Sequence, residues 1–305
     1  MTEPYPRDLV GYGGQPPKVQ WPGGARLALN FVLNYEEGGE ACILHGDPAS
    51  EAYLQEVPSI DPLPGQRNLN VESIYEYGAR AGFWRILRLF RERGLTLTVY
   101  AVGMAIERNP AAARAMVDAG FEVASHGWRW IDYQNVPEDE ERTHIRLAIE
   151  AIRRTTGARP VGWYTGRNSP NTRRLVVEEG GFLYDSDSYA DDLPYWVTVE
   201  GKPHLVVPYT LDNNDMKFAV NNGFSHGEEF FQYLRDAFDV LYEEGMQCPK
   251  MMSVGLHCRI VGRPGRAAAL ARFLDYARSH DHVWIATRAE IARHWRDHHA
   301  YRPPS

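Results

Sequence analysis

Seven short apolar runs, alternating with helical patterns, constrain the possible folds of this chain more than any other feature of its sequence. They read RLALNFVL (residues 26–33), LTLTVYAV (95–102), FEVAS (121–125), VGWY (161–164), HLVVP (204–208), MMSVGLH (251–257) and VWIA (283–286). Their lengths and their β-branched and aromatic content are those of buried strands. Between them the apolar period shifts to that of a helix. Ile86, Leu87 and Phe90 form one stripe, and Ile145, Ile149 and Ile152 fall at i, i+4 and i+7 of another. Asn109-Pro110 ahead of an alanine run is a helix start, and Gly120 a helix stop. A third amphipathic segment follows Gly227 and closes at Gly245. Strand, helix and strand repeated about seven times predicts an α/β fold built on a parallel sheet. Periodicity alone leaves open whether that sheet closes into a barrel.

A chain of 305 residues with a formal charge of −7 and no long basic run argues against nucleic acid or an anionic membrane as partner. No apolar stretch approaches the roughly 20 residues that span a bilayer. The opening MTEPYPRDLVGYGG has no basic segment followed by an apolar one, so it does not read as a secretory signal. Cys42, Cys248 and Cys258 form no Cys-x-x-Cys pair. So sparse and odd a set suits a reduced, cytoplasmic protein and offers no sulfur-ligated zinc. The expected organisation is a single catalytic domain over residues 1–305. It carries an N-terminal extension (about 1–25) and a Pro-, Gly- and Asp-rich loop insertion (about 40–70).

Polar residues fall where the strands end. The first run passes into NYEEG, with the adjacent carboxylates Glu36 and Glu37, and the third ends at His126. The fourth runs into TGRNSPNT, presenting Arg167, Asn168 and Ser169, and MMSVGLH ends at His257. In parallel α/β folds the carboxyl ends of all strands share one side, and ligands bind there. Two carboxylates, two imidazoles and a guanidinium therefore converge from distant parts of the chain. That is a general acid–base set with a clamp for an anion or carbonyl. Taken singly, each has an ordinary structural reading: a solvated turn, a satisfied strand-end histidine, a surface ion pair. Their joint placement at four strand ends points to an active site. Trp163, Tyr164, Tyr195 and Trp196 are candidate pocket walls, with core or interface packing as the competing role. Asp185 and Asp187 divide evenly between fixing a loop and catalysis. His294, His298 and His299 are expected to face solvent on a charged C-terminal helix and its tail, and His45 and His226 carry no assignment.

The order and spacing of these motifs resemble the polysaccharide deacetylase superfamily, whose catalytic domain is a distorted (β/α) barrel. There a strand runs into Thr-Phe-Asp-Asp-Gly, the first Asp a base and the second a metal ligand. A later strand ends in His-x-x-x-His, giving two more ligands; an Arg-containing loop follows, and a late strand ends in Leu-x-His or a close variant. Here NYEEG, HGWRW, TGRNSP and GLH stand in those places, over roughly residues 26–286. Two longer stretches, RDLVGYGGQPPKVQWPGGARLALNFVLNYEEGGE and LYDSDSYADDLPYW, resemble the allantoinase branch, which hydrolyses the hydantoin ring of allantoin without a metal. The resemblance implies a distorted (β/α) barrel of about seven parallel strands. It places Glu36 as base, Glu37 at the ligand Asp, and His126 and Trp130 at the two ligand histidines. Arg167 falls in the arginine loop and His257 at the late strand. Glu36, His126 and His257 are thus implied as catalytic, and Glu37, Trp130, Arg167 and Asn168 as substrate contacts. A homo-oligomer, tetrameric in that branch, is implied as well.

Two departures from the deacetylase pattern bear on the chemistry. Both carboxylates are one methylene longer, and Trp130 replaces an imidazole. An indole N–H donates but offers a cation no lone pair. Catalytic zinc takes three protein ligands plus water, and only Glu37 and His126 remain at the ligand places. The expectation is therefore no required metal and no cofactor. Metal-free hydrolysis suits a labile bond such as that in allantoin, whose imide-like nitrogen departs as part of a urea. Water would be activated by Glu36 or by a neutral His257. His126, Trp130 or Arg167 would steady the oxyanion, and the other imidazole would protonate the leaving nitrogen. Three readings compete: a metal-dependent N-deacetylase of polysaccharide or peptidoglycan, a hydrolase of other cyclic imides, and a non-catalytic domain that binds carbohydrate or protein.

Overall fold

The first apolar run becomes the strand with the most partners in the sheet. In a computed structural model of the protein the described residues are 5–57 and 61–303. Residues 1–4 of the expected extension, 58–60 of the expected insertion and 304–305 lie outside them. Strand β1 (Leu27–Tyr35) is buried at every position and pairs with three others. The rest are β2 (Thr98–Ala101), β3 (Glu122–Ser125), β4 (Gly162–Trp163), β5 (Tyr184–Asp185), β6 (Tyr195–Val199), β7 (Lys202–Val206), β8 (Lys250–His257) and β9 (Val283–Ile285). Among the described residues they form one sheet in the order β6-β7-β5-β4-β3-β2-β1-β8, with β9 also on β1. Every pairing is parallel except that of β6 with β7.

The sheet curls into a half-barrel whose ends, β6 and β8, are not paired with each other among the described residues. Irregular backbone protects the free edge of β8: Met251 N–H donates to Asp192 O at 3.0 Å and Gly255 N–H to Asn213 O at 2.9 Å. All seven apolar runs become strands. Two further strands, β5 and β6, were not expected, which raises the parallel strands from about seven to eight. β5 spans only two residues in a polar stretch, too short for any periodicity, and β6 is a half-exposed antiparallel edge.

Nine helices among the described residues cover the sheet: α1 (Leu69–Tyr77), α2 (Phe83–Glu92), α3 (Gly103–Arg108), α4 (Pro110–Asp118), α5 (Glu138–Thr156), α6 (Thr172–Glu179), α7 (Gly227–Glu244), α8 (Pro264–Arg278) and α9 (Arg288–His298). The stripes Ile86, Leu87, Phe90 on α2 and Ile145, Ile149, Ile152 on α5 are buried as their spacing predicts. Each such side chain contributes about 1.5–3 kcal/mol, so a three-residue stripe holds its helix down firmly. Four acidic residues open α5 and a left-handed Gly157 closes it, matching the helix dipole and its C-cap.

A single π turn, Gly78–Gly82, joins α1 to α2. Such turns recur beside functional sites, and here the reason is space. A Cβ on Gly78 would lie 2.2 Å from Glu37 Oε1, and one on Gly82 would lie 2.0 Å from the Cys258 carbonyl oxygen. These two glycines let the segments after β1 and β8 approach the helix. Gly82→Ala is expected to cost about 1–3 kcal/mol through overpacking. A urea midpoint equal to wild type would show that the contact is slack.

The N-terminal segment packs against the body of the protein. The Trp21 indole N–H donates to Lys250 O at 3.0 Å, and Val19, Trp21 and Ala25 share a cluster with Trp295 of α9. The expectation that the last three histidines all face solvent fails for two of them. His294 packs against Trp21 with tilted rings 5.2 Å apart and His299 stacks on Trp295 at 4.2 Å, leaving both half-buried and His298 exposed. Among the described residues no helix is long and apolar enough to cross a membrane.

Candidate active site

The sheet order brings three strand ends together. Asn34 at the end of β1 pairs opposite His257 on β8, while β3, which delivers His126, lies two strands away on the other side. Two strand spacings are roughly 10 Å, and the extra methylene of a glutamate helps to bridge them. Glu36 Oε1 lies 3.3 Å from His126 Nε2 and 3.4 Å from His257 Nε2. One carboxylate oxygen thus faces both imidazoles while making no formal hydrogen bond.

The second oxygen is held. Glu36 Oε2 accepts from Arg259 Nη1 at 2.5 Å, and Arg259 also donates through Nε and Nη2 to the Leu54 carbonyl at 3.4 and 3.3 Å. Its guanidinium lies 4.4 Å from the Tyr75 ring centre and 5.0 Å from that of Trp130. Burial pushes the Glu36 carboxyl up, but the charges of Arg259 and His257 outweigh it and hold the group well below the usual range. The Glu36 carboxyl is thus held toward its ionised form, with one oxygen pinned.

His257 is a cation. Its Nδ1 lies 2.6 Å from Asp215 Oδ1, and the other Asp215 oxygen accepts the backbone N–H of His257 at 2.7 Å and of Val261 at 2.9 Å. Burial pushes the imidazole down, yet the Asp215 and Glu36 carboxylates together raise it to about 9. That direction favours His257 as a proton donor over the alternative of a neutral base. His126 is held from the other side: its Nδ1 sits 3.1 Å from the Tyr164 carbonyl, which turns Nε2 toward Glu36 Oε1.

The other expected residues divide. Trp130 is buried against the Arg259 guanidinium, its backbone N–H donating to Gly39 O at 2.9 Å, and Tyr53 stacks on it at 5.9 Å. Arg167 stands at the rim, 5.2 Å from the rings of both Tyr53 and Trp130 and 3.2 Å from Glu51 Oε2. Asn168 is exposed in the same loop, while Ser169 Oγ donates to Glu141 at 2.6 Å. Glu37 turns away from the imidazoles: its Oε2 accepts the Glu36 N–H at 3.0 Å and its Oε1 packs against Gly78. Burial, reinforced by the Glu36 charge and opposed by Arg259, raises Glu37 to about 7. Asp185 binds Arg173 and His204, and Asp187 accepts the N–H groups of Thr165 and Gly166, so both fix the loop after β5. Trp163 and Trp196 also engage their N–H groups within the fold, with Thr165 and the His299 carbonyl. A cleft of about 1310 Å³ lies elsewhere, between the N-terminal segment and the start of β8, and contains none of Glu36, His126 and His257.

A family model described as polysaccharide deacetylase matches residues 68–181. A Schizosaccharomyces pombe protein assigned to the polysaccharide deacetylases is 46% identical over 97% of this chain and 98% of its own length. The chain belongs to the polysaccharide deacetylase family. Two solved structures resemble this deacetylase-family chain throughout. A probable polysaccharide deacetylase from Pseudomonas aeruginosa PAO1 is 63% identical, with a TM-score of 0.96 over 98% of this chain and 100% of the other. The PuuE allantoinase is 61% identical, with the same TM-score and the same coverage.

A metal ion of the kind the deacetylase motifs bind does not fit the donors present. Trp130 offers no lone pair, Glu37 is turned away and titrates near neutrality, and the Arg259 guanidinium already lies between Glu36 and Trp130. Among the described residues no cluster of three or more His, Cys, Asp or Glu is arranged to hold one. The motif pattern of the family passed over Arg259, Asp215, Tyr75 and Tyr53. Arg259 was the one within reach of sequence reasoning, since it stands two residues past His257 in GLHCRI. Asp215 opens a short 3-10 helix (Asp215–Ala219) between β7 and α7, and nothing in its neighbours marks it.

Proposed function

We propose that this chain hydrolyses the hydantoin-ring amide of allantoin to allantoate in purine catabolism, with no metal required. The observation that carries the reading is how closely the reacting groups are covered. Glu36, His126, Trp130 and His257 are only 1%, 2%, 4% and 4% exposed. Residues 51–57 roof them: Tyr53 lies on Trp130, the Leu54 carbonyl on Arg259, and Glu51 on Arg167. A polysaccharide chain needs an open groove, whereas reacting groups covered this closely, with aromatic rings beside a few polar groups, suit a small ring. The likeness to the PuuE allantoinase supports the same conclusion.

In the reaction, Glu36 Oε1 takes a proton from water as the water oxygen bonds to the ring carbonyl carbon. The carbonyl becomes an oxyanion, for which the Trp130 indole N–H and Arg167 are the donors at hand. One well-placed donor is worth about 2.7–4 kcal/mol. As the C–N bond breaks, the His257 imidazolium gives its proton to the departing nitrogen. Glu36 then returns its proton to His257 across the 3.4 Å between Oε1 and Nε2. The new carboxylic acid ionises to allantoate, and both residues are reset.

The deacetylase names of relatives at 63% and 46% identity favour a second reading, N-deacetylation of an acetylated sugar. A substrate panel separates the two. Racemic allantoin, other hydantoins and cyclic imides, and N-acetylglucosamine oligomers are each incubated with the protein. Allantoate formation without acetate release is the expected result. Acetate release with no allantoate would replace this reading by the second.

A further inference from the structure

We propose that Arg259 is the resident cation of this site: its buried guanidinium orients Glu36 so that a single carboxylate oxygen serves as base. The inference rests on the metal-free hydrolysis proposed above and adds the residue that makes it workable. A carboxylate with two free oxygens can rotate and share its charge among several donors. Here Oε2 is bound to Arg259 Nη1 at 2.5 Å, which fixes the plane of the group and leaves Oε1 facing His126 and His257 at 3.3 and 3.4 Å. The planar fork of a guanidinium holds such geometry, where an ammonium supplies only a point charge.

Arg259 is held as carefully as the carboxylate it holds. It is fully buried, a state that is costly for a charge unless several partners compensate. Four separate parts of the chain supply them: Glu36 after β1, the Leu54 carbonyl in the roof, the Tyr75 face on α1 and the Trp130 face after β3. Aromatic faces attract a desolvated guanidinium. This gives a physical reason for a tryptophan where the deacetylase motif has an imidazole. A ring that ligates a metal is replaced by one that supports a cation already built into the chain. Arg259 directs its donors to Glu36 and the Leu54 carbonyl, so it is a positioning residue that acts through Glu36.

The test pairs Arg259→Gly with Arg259→Lys, with folding checked by circular dichroism and wild type assayed alongside on allantoin. For folded Arg259→Gly, kcat is expected to fall about 10²-fold or more, as misplacing a reacting group does, while KM changes little. Millimolar guanidinium chloride, far below denaturing concentrations, is expected to restore kcat about tenfold, saturably, where methylammonium does not. Should Arg259→Gly fail to fold, Arg259→Lys carries the test: kcat about tenfold or more below wild type with KM unchanged supports the proposal. Wild-type kcat in either folded variant, or a folded Arg259→Gly that guanidinium cannot raise, overturns it. Failure of the wild type itself on allantoin would count against the function and not against Arg259.

Discussion

Glu36→Gln is expected to lower allantoin turnover by about 10²–10⁴-fold, the contribution of a positioned general base, with KM near that of wild type. The amide keeps the size of the side chain and can still meet Arg259 through its carbonyl oxygen. What it loses is the negative oxygen facing the two imidazoles, since an amide nitrogen cannot take a proton from water. His257 loses one of the two carboxylates that hold it charged, so the acid is weakened together with the base. Steady-state kinetics of the purified variant check the prediction. A kcat within about threefold of wild type would remove Glu36 from the mechanism, because no effect of this size survives loss of the base.

His257→Gln is expected to cost a comparable factor, about 10²–10⁴-fold, and the pH dependence identifies why. The imidazole is raised to about 9 in the folded protein, so it is protonated at neutral pH and loses its proton as pH climbs through that value. An acid that must be protonated makes kcat/KM of the wild type fall on the alkaline side near pH 9. Asp215→Asn removes the larger of the two charges that raise it and frees burial to act, so the alkaline limb moves toward lower pH. A limb that stays near 9 in Asp215→Asn would mean that another group sets it. A rate that instead rises through the same region would restore His257 to the role of neutral base.

The sheet was legible because seven of its strands are buried apolar runs, and the stripes on α2 and α5 repeat at helical spacing. β5 was not legible, since two residues carry no period, and the open edge at β8 depends on backbone contacts with Asp192 and Asn213 far away in sequence. In the site, Glu36, His126 and His257 could be read because strand ends in a parallel sheet share one side. The structure brings those three together around one oxygen. Arg259, two residues past the end of β8, lay within reach of the same logic, whereas Asp215 did not, since it meets His257 through a side-chain contact from a segment between strands. Glu37 shows the converse. Adjacent to Glu36 in sequence, it points to the π turn because neighbouring residues at a strand end leave on opposite sides.

The central claim is that this chain hydrolyses a cyclic amide with its own charges. It is tested by following allantoate formation from allantoin before and after exhaustive chelation, with bound metal measured by elemental analysis in the same samples. The account predicts equal rates in both and metal far below one equivalent. Stoichiometric zinc whose removal abolishes turnover would contradict it.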